Sequence, residues 1–127
     1  MLRSRASLAL ALALPAVLSS CVAVAAGAAG GAGVAYVMGE FGAELEATPA
    51  QVVQAGLKAL GDLDITVLSS GATGVDGRIE ARTSLDKKVS IEVERKDDRR
   101  SKIGIRVGTW GDEEVSRMIY ERVKARL

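Results

Sequence analysis

The chain has 127 residues, with one cysteine, no histidine and a formal net charge of +1. A lone cysteine cannot form a disulfide within the chain, and the lack of histidine excludes Cys/His zinc sites and His-dependent catalytic triads. The near balance of charge provides no concentrated basic surface for nucleic acid, and the length allows one small domain.

The first 20 residues have the layout of an export signal peptide. Two arginines lie within residues 3–5, and the apolar run LALALALPAVL spans residues 8–18. Two serines then stand directly before Cys21. A basic start, an apolar stretch and small residues at a cleavage site predict a signal peptide over residues 1–20.

The four residues around the expected cleavage site resemble the lipobox of bacterial lipoproteins. They are Leu18, Ser19, Ser20 and Cys21. The resemblance implies that the cysteine thiol takes a thioether-linked diacylglycerol and that its freed amine takes a further acyl chain such as palmitate. Each buried methylene contributes about 0.8 kcal/mol, so two or three chains anchor a protein stably. Val22 stands where an aspartate often retains lipoproteins in the inner membrane, so the resemblance favours the outer membrane.

An alternative interpretation of the same segment is an uncleaved transmembrane helix. No charged residue occurs in residues 6–39, a span long enough to cross a bilayer. Pro15 interrupts a helix interior, and Cys21 stands where a cleavage site is expected. These two residues favour cleavage and lipid attachment over a spanning helix.

Residues 21–39 are rich in glycine and alanine and include the run VAVAAGAAGGAGVAYVM. We interpret this segment as a flexible tether, because glycine loosens the backbone and small side chains offer little to pack. Gly27 and Gly31 also form a GxxxG pair, which would let two helices approach closely in lipid. Helix packing through this pair is the alternative to a tether.

Residues 40–127 have the patterning of a folded domain. Apolar and polar residues alternate over residues 40–47, which predicts a strand with one buried face. Thr48 as N-cap, Pro49 in the first turn and Gln51 in a capping box predict a helix over residues 48–61. Its apolar side is expected to consist of Val52, Val53, Leu57 and Leu60.

Alternation predicts four further strands, at residues 63–67, 75–81, 89–93 and 103–107. The segments SSGATG and SLDK are expected to be turns, and the charged run at residues 95–102 a solvated hairpin loop. A last helix is predicted to follow the N-cap Asp112, with acidic residues first and basic residues last. Its predicted apolar stripe is Val115, Met118, Ile119, Val123 and Leu127.

These elements predict an α+β domain, with a five-stranded, mostly antiparallel sheet and two helices on one face, in the order β-α-β-β-β-β-α. The opposite face carries mixed charge, which is typical of a solvated surface. Arg78, Arg82 and Arg106 on that face are candidates for contact with a partner. Trp110 lies in the turn GTWGDEE and is expected to close the edge of the core, with an exposed recognition anchor as the alternative.

The pattern as a whole resembles a family of small proteobacterial outer-membrane lipoproteins with a domain of unknown function. The resemblance covers most of the chain after the signal peptide. It lies in the lipobox, in the Gly/Ala run ending at Tyr36 and Gly39-Glu40, in GRIEART at residues 77–83 and in IRVGTWGDEEVSR at residues 105–117. It implies a lipid-anchored envelope protein and assigns no catalytic residue.

These observations favour a non-enzymatic lipoprotein that faces the periplasm and contacts an unidentified envelope protein. The alternative is a small cell-wall enzyme that uses Asp62 and Asp64, or Glu44 and Glu46, as acid and base. We expect no cofactor and no metal, because the acidic clusters lack the spacing of a calcium loop. These clusters are Asp97-Asp98 and Asp112-Glu113-Glu114.

Overall fold

The computed structural model describes residues 33–127. The expected signal peptide, the lipobox with Cys21 and the glycine pair Gly27 and Gly31 lie outside the described residues. Within residues 33–127 the chain forms six strands and two helices. In chain order they are β1 (Ala35–Val37), β2 (Glu40–Leu45), α1 (Pro49–Asp62), β3 (Thr66–Ala72), β4 (Asp76–Arg82), β5 (Lys88–Arg95), β6 (Ser101–Val107) and α2 (Glu113–Ala125).

The strands form one open sheet in the order β1-β2-β6-β5-β4-β3, and every neighbouring pair is antiparallel. Strands β3 to β6 follow one another as a meander, while α1 carries the chain from β2 to the far edge of the sheet. The free edges are therefore β1 and β3. This α+β architecture with an antiparallel sheet is the one that the sequence predicts.

Helix α1 begins where the local sequence predicts it. The Gln51 backbone N–H donates to the Thr48 hydroxyl at 3.3 Å, and the Thr48 N–H donates to Gln51 Oε1 at 2.9 Å. This reciprocal capping box, with Pro49 in the first turn, satisfies backbone donors that the helix itself leaves unpaired. Val52, Val53 and Leu60 are buried as predicted.

One face of the sheet is apolar and lies under the two helices, which also pack on each other. Alternate residues of β2, β4, β5 and β6 supply this face, as the two-residue period of a strand requires. The largest fully buried side chains of these strands are Phe41, Ile79, Val89, Ile91, Ile103, Ile105 and Val107.

Helix α2 begins at the predicted cap, but the side that it turns toward the core differs from the predicted one. The Val115 N–H donates to Asp112 Oδ1 at 3.1 Å. Ile119 and Val123 are buried as predicted, whereas Met118 is 47% exposed and Leu127 is 51% exposed. Tyr120 takes part in the core instead, and its ring lies 5.1 Å from that of Phe41. The buried stripe of α2 is Ser116, Ile119, Tyr120 and Val123.

The prediction of five strands is wrong, because β1 adds a sixth strand in the range we assigned to the tether. β1 pairs with β2 through a two-residue turn, Met38-Gly39. The prediction for β3 is also displaced. This strand begins at Thr66 and continues through Ala72, including residues expected to form a turn. The ladder with β4 holds this segment, although most of its side chains are exposed.

Candidate interaction surface

Three exposed apolar side chains lie on loops at one end of the sheet. Met38 is 88% exposed in the β1–β2 turn, Trp110 is 88% exposed between β6 and α2, and Leu85 is 79% exposed between β4 and β5. The antiparallel strand order brings these three loops to the same end. We call these loops, residues 38–39, 83–87 and 108–112, the loop end. An isolated exposed apolar residue is ordinary, but three at adjacent loop tips suggest a binding surface.

The β1–β2 turn and the loop after β6 are packed tightly against each other. Gly39 and Gly111 have φ values of 85° and 89°, which glycine adopts freely. A Cβ on Gly39 would lie 2.7 Å from the Trp110 carbonyl oxygen, and one on Gly111 would overlap the Gly39 carbonyl oxygen and the Tyr36 hydroxyl. Because backbone touches backbone here, the positions of Met38 and Trp110 are fixed relative to each other.

Arg106 strengthens this junction from the open face of the sheet. Its Nη2 donates to the Met38 carbonyl oxygen at 3.0 Å, and its guanidinium lies against Gly39. A charged donor makes a stronger hydrogen bond than a neutral one. Arg106 therefore holds the backbone of the Met38 turn while the Met38 side chain stays in solvent.

The third loop is ordered by its own polar side chains. Arg82 Nη1 donates to the Asp86 carbonyl oxygen at 3.1 Å, and the Thr83 hydroxyl accepts from the Leu85 N–H at 3.2 Å. Lys87 Nζ lies 3.7 Å from Asp112 Oδ2 and so connects this loop to the cap of α2. Leu85 is presented on a turn with several internal hydrogen bonds.

The structure thus brings together three of the four residues predicted to contact a partner. Trp110, Arg82 and Arg106 all belong to the loop end or the strands that lead into it. The expectation that Trp110 closes the core edge is wrong, because the indole projects from a loop that glycines hold outside the core. Arg82 and Arg106 shape the loops through their hydrogen bonds.

Arg78 lies apart from the loop end, in the middle of the open face. Its Nε is 3.3 Å from Glu80 Oε1, and its Nη2 is 3.5 Å from Glu92 Oε1. Arg78, Glu92 and Gly104 lie in one row of the sheet and line a shallow groove. Paired charges over this groove fit the solvated face that the sequence predicts.

In each of the two carboxylate pairs considered as acid and base, one member is bound to an arginine: Asp62 in the first pair and Glu44 in the second. Asp62 accepts from Arg126 Nη2 at 2.6 Å and from Arg126 Nε at 2.7 Å, which ties the end of α1 to the end of α2. The Arg126 hydrogen bond holds the pKa of Asp62 below its usual range. A lowered pKa is the wrong direction for a general acid. Glu44 Oε1 lies 3.7 Å from Arg100 Nη1, at the end of the sheet opposite to the loop end.

The acidic clusters have structural roles in the described part of the chain. Asp97 accepts from the backbone N–H groups of Arg99 and Arg100, and the hydrogen bond from Arg99 is the main cause that lowers the pKa of Asp97. Asp112 is the N-cap of α2. Residues 33–127 contain no group of three or more acidic or cysteine side chains arranged to hold a metal ion. In the same residues, neither helix is long and apolar enough to span a bilayer.

Met38 and Leu85 belong to this surface but carry no clear signal in the sequence. Met38 lies at the end of the Gly/Ala-rich run, where composition conceals the hairpin. The available signal was Met38-Gly39, an X-Gly pair between two short apolar segments, although hairpins prefer Asn or Asp before the glycine. Leu85 lies in SLDK, where the sequence predicts only a turn between two strands.

The structure therefore defines a small α+β domain whose antiparallel sheet carries helices on one face and an exposed apolar loop end. Residues 5–126 match a family model described as a protein of unknown function, DUF3568. The chain belongs to this family. A comparison of the sequence with curated proteins gave no significant match.

Proposed function

We propose that this protein is a lipid-anchored envelope lipoprotein, attached through Cys21 to the outer membrane and facing the periplasm. In this proposal the domain is a non-enzymatic binding module, and the loop end contacts an envelope protein. The anchor is supported by the signal-peptide layout and by the lipobox residues at positions 18–21. The binding role is supported by the described structure.

The observation that carries the binding role is the rigid display of Met38 and Trp110. Both side chains are 88% exposed, yet their backbones are fixed by Gly39, Gly111 and Arg106. Aromatic side chains dominate the energetics of many interfaces, and a pre-ordered loop loses little entropy on binding. The partner chemistry that fits this arrangement is an apolar pocket that accepts the indole and the methionine side chain.

The geometry of β1 fits an anchored protein. The residues that lead back to Cys21 join the domain before Ala35, and β1 runs from there to Met38. Met38 therefore lies at the end of β1 opposite to the point where the tether joins.

Site-specific photocrosslinking in intact cells tests the proposal. A photoreactive amino acid at Trp110 or Met38 is expected to give the same discrete adduct with one envelope protein. The matched control is Val75, an apolar loop residue that is 64% exposed at the other end of the sheet. The adduct is expected to be absent from the Val75 position and reduced in the Cys21→Ser background.

Two results would contradict the proposal. Equal adducts from the Trp110 and Val75 positions would show that the loop end has no special role. An undiminished adduct and membrane association of Cys21→Ser would show that the cysteine is not the anchor.

A further inference from the structure

Met38 is the more accessible of the two methionines in the described part of the chain. The sequence has three methionines, and Met1 lies in the expected signal peptide. Met38 is 88% exposed, whereas Met118 on α2 is 47% exposed. Peroxides oxidise a methionine thioether at a rate that follows its exposure. We therefore expect an oxidant to react first with Met38.

The backbone around Met38 shows that the fold does not require a methionine there. Met38 has a φ of 51°, a left-handed conformation that asparagine or glycine adopts more readily in a two-residue hairpin turn. The turn is held through its backbone, because the Met38 carbonyl oxygen accepts from Arg106 Nη2 at 3.0 Å and Gly39 packs on the Trp110 backbone. A chemical change confined to the Met38 side chain therefore leaves the turn in place.

We propose that Met38 is a redox-sensitive element of the loop end, and that its oxidation to the sulfoxide releases the partner. This inference rests on the proposed function of the loop end. In the step, the thioether sulfur attacks one oxygen of hydrogen peroxide, the O–O bond breaks, that oxygen stays on the sulfur and water leaves. The sulfur is oxidised by two electrons and the peroxide is reduced by two. An envelope protein lies outside the reducing cytosol, where peroxide from the surroundings reaches it.

The sulfoxide changes the property on which binding depends. A methionine side chain is apolar and flexible enough to fill a pocket, whereas its sulfoxide is polar. In the apolar pocket proposed for the partner, the sulfoxide oxygen of Met38 would have no hydrogen-bond donor, which weakens binding at least about tenfold. In the free protein the same oxygen stays hydrated, because the side chain lies in solvent. Oxidation therefore lowers the affinity for the partner and leaves the stability of the fold unchanged.

Peroxide treatment of the purified full chain tests the chemistry. Peptide mass spectrometry over time is expected to show the gain of one oxygen atom at Met38 about twice as fast as at Met118, in proportion to their exposure. The Met118→Leu variant, once fully oxidised, carries a sulfoxide at Met38 alone among the described residues. Its urea unfolding midpoint should be the same before and after treatment. Faster oxidation of Met118, or a lower midpoint of the oxidised Met118→Leu variant, would overturn the proposal.

Photocrosslinking in intact cells tests the switch. With a photoreactive amino acid at position 110, brief peroxide treatment is expected to lower the adduct yield at least about tenfold, both in the otherwise wild-type chain and with Met118→Leu. With Met38→Leu, the yield after treatment should equal the yield of that same variant before treatment. The comparison is made within each variant, so a change in starting affinity has no effect on it.

Two results of this experiment would overturn the switch. The first is an equal loss of adduct with Met38→Leu, because the sensitive group would then lie elsewhere. The second is an undiminished adduct from a chain that mass spectrometry shows to carry the sulfoxide at Met38. The absence of any adduct before treatment would contradict the proposed function itself, and the switch would fall with it.

Discussion

Replacement of Met38 by asparagine should make the protein more stable while it weakens binding through the loop end. Met38 has a φ of 51° in a two-residue hairpin turn, and Gly39 follows with a φ of 85°. Such turns favour asparagine at the first position, since the left-handed conformation costs an ordinary residue roughly 1–2 kcal/mol. Methionine at this position therefore lowers the stability of the turn, and its exposed side chain does not offset the loss.

The magnitude follows from the exposure of the side chain. Full burial of a methionine contributes about 1.5–3 kcal/mol, so a side chain that is 88% exposed retains only roughly 0.3 kcal/mol of that. Relief of the backbone cost exceeds this loss. We expect Met38→Asn to raise the free energy of unfolding by about 0.5–1 kcal/mol.

Chemical denaturation followed by far-UV circular dichroism measures the change, and photocrosslinking from Trp110 measures the loss of binding. Met118→Asn is the control, because Met118 is also partly exposed but lies in α2, where asparagine disfavours the helix. This control should be slightly destabilised. A decrease of more than about 0.5 kcal/mol for Met38→Asn would refute the argument, because the turn would then not favour asparagine.

Three further predictions concern packing and charge. Ser101→Ala should lower the free energy of unfolding by about 1–3 kcal/mol, because the buried Ser101 hydroxyl donates to the Ala47 carbonyl oxygen at 2.7 Å. Ser116→Ala should be neutral or stabilising, because the equally buried Ser116 hydroxyl has no hydrogen-bond partner among residues 33–127. Equal decreases in the free energy of unfolding for the two variants, measured in urea, would contradict this prediction. Gly111→Ala should destabilise the folded protein by about 1–3 kcal/mol, because Gly111 has a positive φ and contacts Gly39. Gly61→Ala should stabilise it by about 0.5–1 kcal/mol, because Gly61 lies in α1 at a place where a Cβ would contact nothing. Thermal melts that ranked these two variants in the opposite order would be inconsistent with the packing of the loop end. The pKa of Asp62 is lowered in the folded protein, so its stabilising effect is present above the pKa of the unfolded chain and is lost as the pH falls through the folded pKa. The stability difference between wild type and Asp62→Asn should therefore be largest near neutral pH and narrow below about pH 4, and a constant difference across a pH series of melts would disprove the pairing with Arg126.

Features with strong local signals were predicted correctly from the sequence. The capping box of α1 depends on Thr48 and Gln51, three residues apart, so no tertiary information was needed. Strands β4, β5 and β6 are buried on one face, and their side chains therefore alternate clearly. The cap of α2 at Asp112 is also a local interaction.

The edges of the sheet were predicted poorly for a physical reason. Strands β1 and β3 bury few side chains, so the alternation that marks a strand is weak or absent in both. Their backbones are held by pairing with β2 and β4, which a pattern of side chains does not report. Composition alone therefore assigned β1 to the tether.

The candidate surface was predicted in part. A tryptophan is usually buried in a small domain, and only the turns around Gly39 and Gly111 reveal that Trp110 is held in solvent. The predicted apolar stripe of α2 included Met118, which is exposed, and omitted Tyr120, whose ring packs on Phe41. Both errors arise from contacts between residues that are distant in sequence.

The measurement that tests the central claim most directly is the intact mass of the protein purified from membranes. We predict a mature chain that begins at Cys21 and carries a diacylglycerol with a further acyl chain, and a Cys21→Ser variant that carries neither. A membrane-bound chain that retains residues 1–20, or that begins at an unmodified Cys21, would contradict the lipid anchor.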